Sequence, residues 1–429
     1  MTAPQFQSRR RNPVNHDTQI LSVAAFATLG VITRPLRLPE YVWAVVGTVV
    51  LIAFGFLPWR NAVAAAAKGI DVYLFLIGMM LLAEVARQEG LFDWLAALAV
   101  RYARGSARRL FLIIYAVGTL VTVFLSNDAT AVVLTPAVYA AATAARVEPL
   151  PYLFICAFIA NAASFVLPIS NPANLVIFGT HMPPLAQWLY QFTLPSIASI
   201  FITYLLLRFT QRAAIDQKIS EDFPTEPPSA GGKCVAAGIA VTAVALLGAS
   251  SLGRQLGLPT FIAGTAVTII VLIISRRSPL PVLRDISWGV LPLVAGLFIL
   301  VAGVEQTGIL NSVTQMLHSA AAYSPRDASF GAGIIVALAS NLMNNLPTGL
   351  VAATVSQSAG VPLQVTSGIL VGVDLGPNLS VTGSLATILW LIALRREGEV
   401  VTAWQFLKLG IVVMPPALVV ALLAITAVA

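Results

Sequence analysis

The stretch LFLIIYAVGTLVTVFLSNDATAVVLTPAVYAAATAA, residues 110–145, decides how this chain folds. An apolar run over 110–125 meets Ser126, Asn127 and Asp128, and a second apolar run follows at once. The two runs are too long together for one helix across ~30 Å of hydrocarbon, which takes about 20 residues. The centre is also too polar to face lipid. Two half-helices meeting at an irregular tip satisfy both constraints, because non-helical backbone at membrane depth is tolerated only inside protein or beside water.

Composition agrees with a bilayer setting. The chain is 58% hydrophobic and 10% charged, with a mean hydropathy of +0.87, against about 25% charged residues in soluble domains. Further apolar runs recur over 42–57, 70–83, 194–207, 234–247, 261–274, 290–304 and 409–429. The formal charge of +7 reflects Lys and Arg in short inter-helix segments, a membrane-protein habit, and gives no reason to expect nucleic acid. Cys156 and Cys234 lie in apolar runs and read as buried inert thiols, with neither a disulfide framework nor metal-ligand spacing. Arg9–Arg11 before an apolar stretch is read as the flank of a first transmembrane helix. Thr33-Arg34-Pro35 stands where a signal peptide would need small residues. Trp43, Trp59, Trp288, Trp390 and Trp404 fall near helix ends and read as an interfacial belt.

Self-comparison organises the chain. An offset of 218 residues lays Gly78–Gly90 on Gly296–Gly308 and Ser126–Thr130 on Asn344–Thr348; an offset of 210 lays Ser170 on Ser380 and Asn174 on Ser384. The expected fold is an all-α polytopic membrane protein of two inverted repeats. Each holds five transmembrane helices, one of them interrupted, and one re-entrant hairpin. An odd number of crossings forces the second repeat to insert upside down, as in many secondary transporters. The repeats span residues 1–210 and 234–429, joined by a polar, proline-bearing linker over 211–233. Of the 25 Lys and Arg residues, 18 fall on the side that holds the linker, which makes that side cytoplasmic.

Four polar interruptions carry the chemistry. The hairpin tips are Ser126-Asn127-Asp128 and Asn344-Asn345-Leu346-Pro347-Thr348, where Pro347 is expected to make the break. The interrupted helices carry Leu167–Asn174 and Val373–Ser384. Free backbone groups at such breaks suit a polar solute or ion. Asp128 and Asp374 lie inside the breaks. An ionised carboxylate at mid-bilayer is costly, so such groups are protonated, paired or beside a water path, as a proton carrier requires; capping a half-helix is the structural alternative. Glu84 reads as a partner of Arg87 and His181 as a loop residue. P-loop spacing, a metal-ligand cluster and a Ser–His–Asp set are all missing from the sequence, so no enzyme, cofactor or metal is expected.

The tips Phe124–Asp128 and Asn341–Thr348, with Val371–Asn378 and Gly383–Trp390, resemble the ArsB family of arsenite and antimonite efflux transporters, over roughly residue 70 to the C-terminus. The segment Ser170–Asn174 is similar to the family's Ser-Asn-Leu-Val-Asn pattern, except that Pro172 replaces an aliphatic residue. The resemblance implies a bacterial inner-membrane protein that exports As(OH)₃ or Sb(OH)₃ against proton entry. An ArsA-type ATPase at the cytoplasmic face and a homodimer are assemblies it allows. The expected contacts to substrate hydroxyls are Ser126, Asn127, Thr130, Ser170, Asn171, Asn174, Asn344, Asn345, Thr348, Asn378, Ser380 and Thr382, with Asp128 or Asp374 carrying the proton and an elevator motion carrying the site. With only two cysteines, recognition falls to the neutral hydroxide. The alternatives are a Na⁺-coupled anion symporter or Na⁺/H⁺ antiporter of the same superfamily and, more distantly, a membrane-embedded enzyme or a channel.

Overall fold

The computed structural model describes residues 13–217, 219 and 227–428. Arg9–Arg11 and most of the linker's charges (Lys218, Glu221, Asp222 and Glu226) lie outside them. Among the described residues every regular element is helical.

The first half runs α1 (Pro13–Thr33), α2 (Glu40–Ala53), α3 (Trp59–Lys68), α4 (Ile70–Gln88), α5 (Leu91–Ala103), α6 (Ala107–Phe124), α7 (Asn127–Ala129), a π turn (Thr130–Leu134), α8 (Thr135–Ala144), α9 (Leu150–Ala162), α10 (Pro172–Phe178) and α11 (Leu185–Thr210). The second half repeats this order: α12 (Ala230–Ser251), α13 (Gly257–Ser275), α14 (Leu280–Asp285), α15 (Val290–Gln306), α16 (Ile309–Tyr323), α17 (Pro325–Met343), α18 (Asn345–Ala359), α19 (Leu363–Leu375), α20 (Leu385–Arg396) and α21 (Ala403–Val428). The short α3 before α4 has its match in α14 before α15. The helices α5 and α16, one per half, were not anticipated from hydropathy; each is a 13- to 15-residue amphipathic piece between longer apolar runs. Among the described residues six helices, or seven if residues 59–88 form one broken span, are long and apolar enough to cross a membrane.

Polar residues set the boundaries. Ser106, Ser229 and Ser324 accept the N–H of Arg109, Gly232 and Asp327 at the starts of α6, α12 and α17. The chain forms two compact units, the first of residues 1–69 and 289–313 and the second of 70–288 and 314–429. In the first, α2 packs on α1 and both pack on α15. In the second, α13 packs on α4, α17 on α19 and α11 on α21. The α4–α13 pair is a backbone approach: a Cβ on Gly78 would lie 2.3 Å from the Thr260 carbonyl oxygen. Each half thus lends its leading helices to the long fourth element of the other, α2 to α15 and α13 to α4.

Two residue readings change. Trp390 is 0% exposed, donates to the Leu153 carbonyl at 3.0 Å and packs on Phe154 and Phe406, so it belongs to the core rather than to an interfacial belt. Cys156 is buried, but Cys234 is half-buried on α12. Glu84 does pair with Arg87, whose Nε donates at 2.9 Å, and His181 lies exposed in the turn after α10.

Candidate functional site

All four interruptions fall in the second compact unit. At the first tip, Ser126 is extended and its Oγ accepts the Ala129 N–H at 3.1 Å, which starts α7. At the second, Asn344 takes φ 75°, ψ 154°, and its Oδ1 accepts the Leu346 N–H at 3.4 Å, which starts α18. Pro347 does not make this break. It sits inside the first turn of α18, where an N–H has no intrahelical partner anyway. The threonines repeat the match: Thr130 Oγ1 donates to the Ser126 carbonyl (3.4 Å) and Thr348 Oγ1 to the Asn344 carbonyl (2.8 Å). Thr130 also shares a 2.8 Å hydrogen bond with Thr122 and opens the π turn, a local widening frequent at functional sites.

Each tip is tied to the break of its own half. The Asn127 N–H donates to the Ser170 carbonyl at 3.1 Å, and the Asn345 N–H to the Gly383 carbonyl at 2.8 Å. These bonds correct the register of the second correspondence. Ser170 matches Gly383 and the cap Asn171 matches the cap Ser384, an offset of 213 residues rather than 210. Asn171 Oδ1 accepts the Ala173 N–H and Ser384 Oγ the Thr387 N–H, both at 3.0 Å. In this register Asn161 corresponds to Asp374, where the offset of 210 would have placed Ser164.

Several expected site residues are bonded into the protein. The Asn174 amide reaches the carbonyls of Ser164, Leu167 and Pro168 at 2.9–3.3 Å and stitches its own break. Ser170 Oγ accepts the Leu167 N–H and donates to the Val123 carbonyl. Asn378 donates to the Phe158 carbonyl and accepts from Asn161 Nδ2 at 2.9 Å, which joins the two halves. Ser380 Oγ and Thr382 Oγ1 both donate to Asn341, to its Oδ1 (2.7 Å) and its carbonyl (3.0 Å). Asn341 Nδ2 in turn donates to the Gly376 carbonyl at 2.9 Å. Asn161 and Asn341 are thus hubs that sequence reasoning passed over. The available signal was an asparagine in an apolar helix just before a break.

Asp374 lies at the centre of this web. It is 0% exposed, and its Oδ1 accepts from Asn171 Nδ2 at 2.8 Å across the two halves. Its Oδ2 has no donor among the described residues, and neither do the Oδ1 atoms of Asn161, Asn174 and Asn345. Unpartnered buried polar atoms are rare and cost about 1–3 kcal/mol each. All four are acceptors, so the site is short of donors. Asp128, half-buried in the first turn of α7, faces the favourable end of a helix dipole. No Arg, Lys or His occurs in residues 120–135, 161–180, 341–350 or 371–390. Packing closes the site crosswise, with α10 against α18 and α20 against α7, the π turn and α8.

Interrupted helices with polar, capped breaks in a helical bundle of this hydropathy define a membrane transporter. The chain belongs to the citrate transporter family (CitMHS), whose model matches residues 28–373. It is 28% identical over 362 residues to an arsenical pump membrane protein of Yersinia enterocolitica, covering 81% of this chain and 84% of that one. The arsenical pump membrane protein of Escherichia coli K12 is likewise 28% identical, over 365 residues. An uncharacterized transporter of Mycobacterium tuberculosis is 25% identical over 417 residues, covering 92% of this chain and 95% of that one. Among solved structures, the YdaH transporter of Alcanivorax borkumensis matches with TM-score 0.55 and 16% identity over 97% of this chain and 96% of that one. MtrF of Neisseria gonorrhoeae matches with TM-score 0.53 and 13% identity over 98% and 95%. The last two share the fold.

Proposed function

We propose that this transporter expels trivalent arsenic or antimony as the neutral hydroxide in exchange for entering protons. The observation that carries the reading is the donor deficit at the breaks: Asp374 Oδ2 and three asparagine oxygens are buried without donors. As(OH)₃ and Sb(OH)₃ bring three O–H donors each and no charge. A tricarboxylate brings acceptors and negative charge, and the breaks hold no Arg, Lys or His to receive them. The arsenical-pump names of the relatives at 27–29% identity support the same substrate.

Asp374 is the favoured proton carrier, with Asp128 as the second candidate. A proton on Asp374 Oδ2 supplies the missing donor character, and its release to the cytoplasmic side frees the oxygen to accept from a substrate hydroxyl. Asn127, Asn345, Thr130 and Thr348 at the tips offer the remaining contacts. Binding and counter-transport then use one small set of oxygens, so proton and hydroxide compete. The two halves are read as inverted repeats. The interlocked α7–α8, α10, α18 and α20 move as one body in an elevator step, a reading supported by their crosswise packing.

The test is uptake of radiolabelled antimonite into everted vesicles without ATP, driven by an interior-acid pH gradient. Uptake that follows the gradient and is lost in Asp374→Asn is the expected result. A Na⁺ requirement, with citrate moving instead, would mean that the unpartnered oxygens hold sodium. That is the second reading, favoured by the citrate transporter description of the family.

A further inference from the structure

Away from the breaks, the start of α6 and the end of α11 border an open pocket of about 340 Å³ lined by Arg108, Leu205, Arg208, Phe209, Arg212 and Ile215. That volume lies within the range of small-ligand sites, roughly 300–1,000 Å³. Three arginines line this one pocket, and all three are exposed to its opening. Among the described residues the acidic group paired with these arginines is Asp216, 2.9 Å from Arg108. Among the described residues neither Arg208 nor Arg212 meets a carboxylate. Arg208 donates to the Tyr204 hydroxyl at 3.2 Å, and Arg212 lies 4.8 Å over the Phe209 ring. Both arginines therefore keep donors free to engage an anion.

We infer that this cavity is a binding site for the phosphodiester headgroup of an anionic phospholipid. Guanidinium groups engage phosphate oxygens in bidentate pairs, which accounts for the headgroup. The acyl chain is accounted for by α11 itself. Ile197, Phe201, Leu205 and Phe209 are exposed at successive steps of four residues, so they form one apolar ridge that ends at the cavity. A free phosphate would use the arginines and leave the ridge idle; a phospholipid uses both. Clustered basic residues between helices near the cytoplasmic surface are a recognised setting for anionic headgroups. The site is remote from the breaks in sequence and shares no residue with them, so it stands or falls independently of the transported solute.

The experiment is native mass spectrometry of the full-length protein in detergent, titrated with phosphatidylglycerol or phosphatidylcholine. Wild type should retain phosphatidylglycerol roughly tenfold better. Arg208→Gln/Arg212→Gln should lose that preference, whereas Arg395→Gln/Arg396→Gln, which removes the same charge from the end of α20, should keep it. Asp216→Asn, which releases Arg108 from its partner, should strengthen retention and so tests the site without relying on a loss. Equal retention of both lipids by wild type, or an unchanged preference in Arg208→Gln/Arg212→Gln, would overturn the proposal. So would displacement of phosphatidylglycerol by millimolar inorganic phosphate, which would make the cavity a free-anion site.

Discussion

At the level of single residues, the breaks are held by side chains that each do two things. Asn171 caps α10 with its oxygen and holds Asp374 with its amide. Removing that amide from Asn171→Asp would put two carboxylates in contact. Transport should fall at least as far in this variant as in Asn171→Ala, as antimonite flux would measure. Asn344 caps α18 from φ 75°, ψ 154°, a region that costs a non-glycine residue about 1–3 kcal/mol. Asn344→Gly relieves the backbone while losing the cap; Asn344→Ala keeps the strain and loses the cap too. The alanine variant should therefore unfold earlier than the glycine variant in a thermal melt, by about 1 kcal/mol or more. The reverse order would mean that the tip carries no strain. The polar character of these positions was plain in the sequence, but their division of labour was not. Asn174 has the same side chain as Asn171, and only the placement of neighbouring carbonyls makes it, with the Ser170 hydroxyl, a stitch in the loop.

Elements meet here through backbone contact as much as through side chains. A Cβ at Gly376 would lie 2.4 Å from the Ala337 carbonyl oxygen on α17, with no flexible group to yield. Gly376→Ala must push α19 from α17 and disturb Asn341, whose amide bonds the Gly376 carbonyl. The expected cost is about 1–3 kcal/mol of stability with transport lost, whereas Gly331→Ala, with open space around it, should be silent in both assays. The crosswise pair α10–α18 offers a second check. A Cβ added at Gly349 would lie within 4 Å of Val176 and Ile177. A short chemical cross-link between Cys introduced at 176 and 349, in a Cys156→Ala/Cys234→Ala background, should leave flux intact if the pair moves as one body. Loss of flux on cross-linking would show that α10 and α18 separate during transport.

Across the whole molecule, the two halves are not side-by-side domains. The helices α1 and α2 pack on α15, α13 packs on α4, α10 on α18 and α20 on the first hairpin. Residues 289–313 accordingly group with 1–69 in one compact unit, although they belong to the other half of the sequence. Each half leaves apolar helix faces that the other covers, α4 by α13 and α2 by α15. Fragments split within the linker should therefore be degraded when expressed singly and should restore antimonite export when co-expressed. Accumulation of either fragment alone as a folded species would contradict the exchange.

What the sequence determined by itself was set by local cost. Apolar runs require helices, and polar residues inside them require breaks. The Ser126–Asp128 tip and Asp374 were legible because a polar group at membrane depth is expensive wherever the chain goes. The structure alone decided which helices pair, the offset of 213 between the breaks, the burial of Trp390, and the Asn171–Asp374 and Asn161–Asn378 bonds. Those depend on contacts between residues some 200 positions apart, and hydropathy carries no information about them. The arginine cavity belongs to the same class: Arg108 and Arg212 are ordinary interfacial charges in the sequence, and only the packing of α6 beside α11 brings them to one site.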